Sequence, residues 1–230
     1  MKIACVGYRE WACRIYDDTR STFPQHEFLI FKSKEQFDIS SLIDFDPEII
    51  LFYGWSWMVP DDITKKFMCV MLHPAPLPKY RGGSPIQNQI IRGETESVVT
   101  LFVMDEGIDT GDIVGRCPIS LEGSLDEIFD RIYSAGLALT SSMLNGHYER
   151  IPQDHDKSTY YKRRKKSDSE LTLDELTNAP ADYLYNKIRM LADPYPNAFI
   201  KTSDGKKLLI KSAHLVGTDN DQQITRRSKI

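Results

Sequence analysis

Short runs of aliphatic and aromatic residues, each ended by glycine, proline or charge, limit what this chain can become. The first four are "KIACVGY" (2–8), "EFLIF" (27–31), "EIILFYG" (48–54) and "KFMCVMLH" (66–73). These runs are nearly continuous in Val, Ile, Leu, Phe and Cys, so such strands must be covered on both faces. That is the pattern of a parallel sheet with helices packed on either side. Between the first two runs, residues 9–20 carry Trp11 and Ile15 at helical spacing. Two more strand-like runs, "SVVTLFVM" (97–104) and "IVGRCPIS" (113–120), flank the glycine-punctuated loop "DEGIDTGD". The expected fold is α/β: a Rossmann-like, mostly parallel sheet with helices on both faces, plus a small C-terminal helix and β-hairpin.

Helix signals fall between the strands. Ser84-Pro85-Ile86-Gln87 reads as a start, with serine as cap, proline in the first turn and glutamine in capping-box position, and Gly93 as the stop. Ser124-Leu125-Asp126-Glu127 is a second capping box. It opens a long helix with Ile128, Ile132, Leu139 and Leu144 inward and Asn145-Gly146 at its end. One α/β domain thus spans 1–150. Composition then turns polar, and 151–179, centred on "YYKRRKKSDSE", reads as a linker. Residues 180–230 form a small region with a helix over 180–191, then "DPYPNAF". A hairpin turning at Ser203-Asp204-Gly205 completes it. The tail after Gly217 is polar, the composition of a frayed end.

A chain of 230 residues can bury a substantial core. Its net charge of −4 gives no global affinity for nucleic acid or membranes. Four separated cysteines, Cys5, Cys13, Cys69 and Cys117, form no C-x-x-C pair. They read as buried small hydrophobes of a reducing compartment, with no metal ligand set implied. The first apolar run stops at Arg9-Glu10, too short for a secretory signal, and no run reaches membrane-spanning length. The expectation is a cytoplasmic, soluble protein.

Chemistry concentrates in "VMLHPAPLPKYRGGSP" (70–85). If 66–73 is a strand, Met71 and His73 share a face, and His73 sits at its carboxyl end, where open α/β sheets form ligand crevices. Gly82-Gly83 let backbone approach a partner. Downstream, "MDEGIDTGDIV" (104–114) opens onto the next strand at the same edge, and its turn, permitted by Gly107 and Gly111, can aim Asp109 at the strand ends. A carboxylate beside histidine fixes its tautomer and favours the protonated ring. The turn after the first strand, "GYREWAC", lacks the G-x-G-x-x-G of a dinucleotide site.

The stretch from "LHPAPLPKYRGGSP" through "MDEGIDTGDIVGR" resembles the folate-dependent formyltransferases. Their pattern is Asn-x-His ending a strand, a proline-rich turn with a basic residue, an aromatic and Arg-Gly, a helix, and an Asp beside glycine downstream. His73 and Asp109 match the catalytic pair. "FYGWSWMVP" (52–60), "TYYKRR" (159–164) and "IRMLADPYPNAF" (188–199) are similar to the sugar N-formyltransferases, relatives of the methionyl-tRNA and glycinamide ribonucleotide enzymes. One position departs from the pattern: Met71 stands where the family has asparagine, and a thioether donates no hydrogen bond.

The resemblance implies transfer of a formyl group from the co-substrate N10-formyltetrahydrofolate to a primary amine. The implied acceptor is a UDP- or dTDP-linked amino-deoxy sugar of bacterial surface-polysaccharide or nonulosonic acid synthesis. It places folate against Trp55, Met58, Val59, Met71, Gly107 and Ile108. It assigns the nucleotide-sugar to Lys79, Tyr80, Arg81, Gly82, Tyr160, Tyr161, Arg189 and Tyr195, with Lys79 and Arg81 suited to a diphosphate. The alternatives are another formyltransferase of the family, or a folate or nucleotide-sugar binding protein impaired at Met71. The apolar "LLI" at 208–210 offers an edge for a homodimer.

Overall fold

The computed structural model describes residues 1–217, so the polar tail beyond Gly217 lies outside the described residues. Two units are present. The first holds residues 1–89 and 94–164, the second residues 90–93 and, among the described residues, 165–217.

In the first unit, β1 (Lys2–Val6), β2 (Glu27–Phe31), β3 (Ile49–Tyr53), β4 (Met68–His73), β6 (Glu96–Val103) and β7 (Ile113–Ser120) form a six-stranded sheet in the order β2-β1-β3-β4-β6-β7. The first four strands run parallel, and β6 and β7 are antiparallel to their neighbours. "Mostly parallel" is therefore right, and the exception is the β6–β7 hairpin-like pair around the "DEGIDTGD" loop.

Two helices, α1 (Glu10–Thr22) and α5 (Leu125–Leu144), lie against one face. Buried Tyr16 of α1 donates to the carbonyl of Val6 or Leu51 (2.9 and 3.0 Å) and accepts from the Tyr53 amide at 2.7 Å. The Tyr53 hydroxyl meets Thr140 of α5 at 3.0 Å. The capping box expected at the start of α5 is present: Ser124 Oγ accepts from the Glu127 amide and Glu127 Oε2 from the Ser124 amide. The deepest positions of α5 are Leu125, Ile128, Ile132, Ala135, Gly136, Thr140 and Met143. Leu139 and Leu144, expected inward, are only half-buried.

The opposite face is covered by α2 (Ile39–Phe45) and α3 (Asp61–Lys66), whose Leu42 and Ile63 join a core with Ala4, Val6, Ile50, Phe52 and Cys69. Burying side chains of this size stabilises by about 1.5–3 kcal/mol each. This face carries the site, because Met71 packs against that core and His73, two residues further along β4, shares its side of the sheet.

The short helix α4 (Pro85–Ile90) follows Ser84, whose carbonyl accepts the Asn88 amide at 2.9 Å. Ser84 has φ 52° and its hydroxyl accepts the Arg164 amide at 3.1 Å. The linker expectation for 151–179 also needs correction over its first part. Ile151 bridges Ile113 through two backbone hydrogen bonds of 2.8 and 2.9 Å. Two-residue strands β5 (Arg81–Gly82) and β8 (Tyr160–Tyr161) then pair in parallel. Polar composition hid this role, because main-chain bonding does not depend on side-chain polarity.

The second unit contains α6 (Leu173–Asn178), α7 (Ala181–Arg189) and the antiparallel hairpin β9 (Ala198–Lys201) and β10 (Lys207–Ile210). Thr172 and Glu175 form a capping box on α6. Lys187 of α7, buried, donates to the Glu170 carbonyl (2.6 Å) and to Glu175 Oε1 (2.5 Å). Among the described residues no helix is long and apolar enough to cross a membrane.

Candidate active site

His73 closes β4 and is 4% exposed. Its Nε2 lies 2.8 Å from the Tyr80 carbonyl oxygen. A carbonyl only accepts, so Nε2 carries a hydrogen and donates it. The tautomer is thereby fixed, and Nδ1 faces Asp109, with Oδ2 at 3.6 Å. That distance is an ion-pair contact for a protonated ring and too long for a direct hydrogen bond.

Asp109 is aimed by its backbone, which has φ 55°, in the left-handed region that aspartate tolerates better than most residues. Its Oδ2 accepts the Gly82 amide at 2.7 Å. Gly82 is required here: its φ is 95°, and a Cβ would lie 2.3 Å from the Tyr161 carbonyl oxygen. Asp105 knits the same loop by accepting from the Gly107 amide (3.0 Å) and the Thr110 hydroxyl (2.5 Å).

The turn after His73 spends every amide it has from residue 80 to 83. Tyr80 N–H goes to Thr159 Oγ1 (2.8 Å) and Arg81 N–H to the Thr159 carbonyl (2.9 Å). Gly82 N–H goes to Asp109, and Gly83 N–H to the Tyr161 carbonyl (2.9 Å). Asn88, the nearest asparagine downstream, directs its amide nitrogen to the Gly83 carbonyl at 2.8 Å. The amides of residues 80–83 are thus all committed within the chain. Met71 itself packs with Met104 against both core clusters of this face, including Leu77, Phe102 and Ile113.

The residues expected around folate divide. Met58 (83% exposed) and Ile108 (48%) present apolar surface, and Gly107 lies exposed in the Asp109 loop. Trp55 packs against Phe37 and Trp57 at ring separations of 5.2 and 4.6 Å. Its Nε1 is buried and finds no hydrogen-bond partner among the described residues. Val59, expected on the ring, instead belongs to the core with Ile63 and Phe67, because its side chain points into the α3 side of the sheet.

The residues expected to hold a nucleotide-sugar also divide. Lys79 and Tyr160 are exposed, while Tyr80 is buried, stacks on Tyr161 at 5.0 Å and bonds Glu94 through its hydroxyl at 2.7 Å. Arg81, expected to meet a diphosphate, is buried instead. Its Nε and Nη2 reach Gln153 Oε1 at 3.2 and 2.6 Å, and Nη2 also donates to His155 Nδ1 at 3.1 Å. Burial lowers the guanidinium pKa, and the charges of Asp109 and Asp105 oppose that shift. Arg189 and Tyr195 belong to the second unit, where Arg189 Nε donates to Asn186 at 2.8 Å. Gln153 lies outside every motif and carries no signal of its own in a single sequence, and Thr159 opens "TYYKRR" without any mark of its bonds to the turn.

The structure thus sets a histidine at the end of a central strand and an acid from a neighbouring loop on one edge of an α/β sheet. Residues 17–144 match the formyl transferase family, and the chain belongs to that family. It is 33% identical over 193 residues to the methionyl-tRNA formyltransferase of Orientia tsutsugamushi, covering 81% of this chain. The chain spans 61% of the length of that relative. A solved methionyl-tRNA formyltransferase from Clostridium thermocellum superposes with a TM-score of 0.81 at 29% identity, over 91% of this chain and 97% of that one. A solved sugar N-formyltransferase from a Shewanella species gives 0.75 at 19% identity, over 94% of this chain and 99% of that one, a likeness of fold.

Proposed function

We propose that the protein transfers a formyl group from N10-formyltetrahydrofolate to the primary amine of a UDP- or dTDP-linked amino-deoxy sugar. The observation that carries this reading is the His73–Asp109 pair at the end of β4, with the imidazole tautomer set by the Tyr80 carbonyl. The unprotonated amine attacks the formyl carbon, a C–N bond forms, and the carbonyl oxygen becomes an oxyanion. His73, whose Nδ1 faces Asp109, takes the proton that the amine loses, and the carboxylate offsets the charge that develops on the ring. The bond to folate N10 then breaks, and the proton lost by the amine ends on N10. Met58 and Ile108, the exposed apolar members of the expected set, hold the folate ring, and exposed Lys79 meets the diphosphate as a point charge.

The sugar acceptor is supported by the sequence motifs "FYGWSWMVP", "TYYKRR" and "IRMLADPYPNAF" and by the match along nearly all of a solved sugar N-formyltransferase. The reading places the enzyme in the cytoplasm. A homodimer is supported by Leu208 and Leu209 on β10, 56% and 53% exposed. A second reading, methionyl-tRNA as acceptor, is favoured by the curated relatives and by the exposed Lys162, Arg163, Lys165 and Lys166.

The test is purified protein with N10-formyltetrahydrofolate and a panel of UDP- and dTDP-linked amino sugars, with charged methionyl-tRNA alongside. Formation of tetrahydrofolate with an amino sugar, abolished by His73→Asn, supports the reading. Turnover with methionyl-tRNA alone moves the acceptor to the second reading. Binding of donor and acceptor without turnover makes the protein a binding module.

A further inference from the structure

Gln153 stands in the segment whose composition reads as a connector, and its side chain makes four hydrogen bonds beside the site. It is 6% exposed. Nε2 donates to the carbonyls of Asp109 (3.0 Å) and Gly111 (2.7 Å), and Oε1 accepts from Arg81 Nε (3.2 Å) and Nη2 (2.6 Å). A carboxamide offers two donor hydrogens and two acceptor lone pairs, so these partners saturate it.

The two segments that Gln153 joins are the two that build the His73 surroundings. One is the turn carrying Tyr80, Arg81 and Gly82; the other is the loop carrying Asp109. The bonds close a ring: Arg81 side chain to Gln153, Gln153 to the Asp109 backbone, Asp109 carboxylate to the amide of Gly82, the neighbour of Arg81. Asp109 holds a left-handed backbone within that ring, a conformation that persists only where the surroundings over-determine it. Removing one member leaves buried partners unpaired, which costs more than the bond itself contributes.

We infer that Gln153 is a positioning residue for the Asp109 carboxylate, acting on His73 only through it. This rests on the reading of His73 and Asp109 as the reacting pair. Two variants separate the parts of the amide. Gln153→Met keeps length without hydrogen bonds. Gln153→Glu keeps an acceptor for Arg81 but sets an oxygen against the carbonyls of Asp109 and Gly111, and it serves if the methionine variant does not fold.

The first readout needs no substrate: the ring nitrogen signals of His73 in protein labelled with 15N-histidine, assigned by their loss in His73→Asn. Both Gln153 variants are expected to move those signals in the direction that Asp109→Asn moves them. The second is formyl transfer from N10-formyltetrahydrofolate to whichever amine the panel identifies. There, kcat is expected to fall about 100-fold, the scale of an ångström-size misplacement, with KM little changed. Asp109→Asn combined with Gln153→Met is expected to be no slower than Asp109→Asn alone. Unmoved His73 signals in a folded Gln153 variant, or a double variant slowed multiplicatively, overturn the inference. Full activity in Asp109→Asn sinks the reading of the pair instead, and the ring signals still report on Gln153.

Discussion

Asp109 faces His73 with an oxygen that is already anchored, since Oδ2 at 3.6 Å from the ring also holds the Gly82 amide at 2.7 Å. An anchored carboxylate needs no reorganisation when charge develops on the imidazole, which is how preorganised dipoles lower a barrier.

Replacing Asp109 by asparagine keeps the shape and removes the charge. The amide can accept from Gly82 but offers His73 no counter-charge. Formyl transfer is expected to lose about 100-fold or more in kcat, the scale of a disabled acid–base group. Steady-state rates at saturating donor measure this, and circular dichroism should be unchanged.

Met71→Asn restores the donor that the family pattern places beside the histidine. Because the amides of residues 80–83 are all committed, the oxyanion lacks a donor from that turn, and kcat is expected to rise. The same change takes a thioether out of the Met104 and Leu77 surroundings and sets a polar amide there, so urea denaturation should show a loss of about 1–3 kcal/mol. A fall in rate in a folded variant would mean the pocket is shaped around methionine.

Gly82→Ala and Gly93→Ala form a matched pair. Both backbones have positive φ, 95° and 81°, but a Cβ at 82 meets the Tyr161 carbonyl whereas one at 93 meets nothing within 4 Å. Strain alone, about 1–2 kcal/mol, is expected at 93. At 82 the urea midpoint should fall further, and the formyl transfer rate should fall with it.

In the second unit, burial would raise the Glu175 carboxyl, but Lys187, the Thr172 amide and the Tyr183 hydroxyl together hold it down at about 2. A carboxyl lowered on folding stabilises above its unfolded value of 4.5 and loses that contribution as pH falls toward 2. Amide exchange in α6 and α7 should therefore accelerate between those limits by the equivalent of about 1–3 kcal/mol. Glu175→Gln should remove the dependence.

The strands, the α5 capping box and the His73–Asp109 pairing were legible because each rests on local signals: apolar runs, an S-x-x-E motif, a histidine at a strand end. What escaped was bonding through the main chain. Thr159 reaches Tyr80 and Arg81 across a long stretch of sequence, and Gln153 resembles any polar residue of a basic segment until its four hydrogen bonds are seen. Arg81 misled for the same reason: a guanidinium in a glycine-rich turn reads as a phosphate hook, and here Gln153 has claimed its fork. Val59 was drawn toward the ligand by its neighbours Trp55 and Met58, although a single step along the chain turns it into the core.

The pairing of β5 with β8 has a consequence for biosynthesis. The amides of Arg81 and Gly83 meet their acceptors only after residue 161 has left the ribosome, on the order of ten seconds after His73 at ordinary translation rates. Through that interval the nascent chain has its histidine but not the frame that orients it, and a ribosome stalled before residue 159 would display a sheet without a working centre.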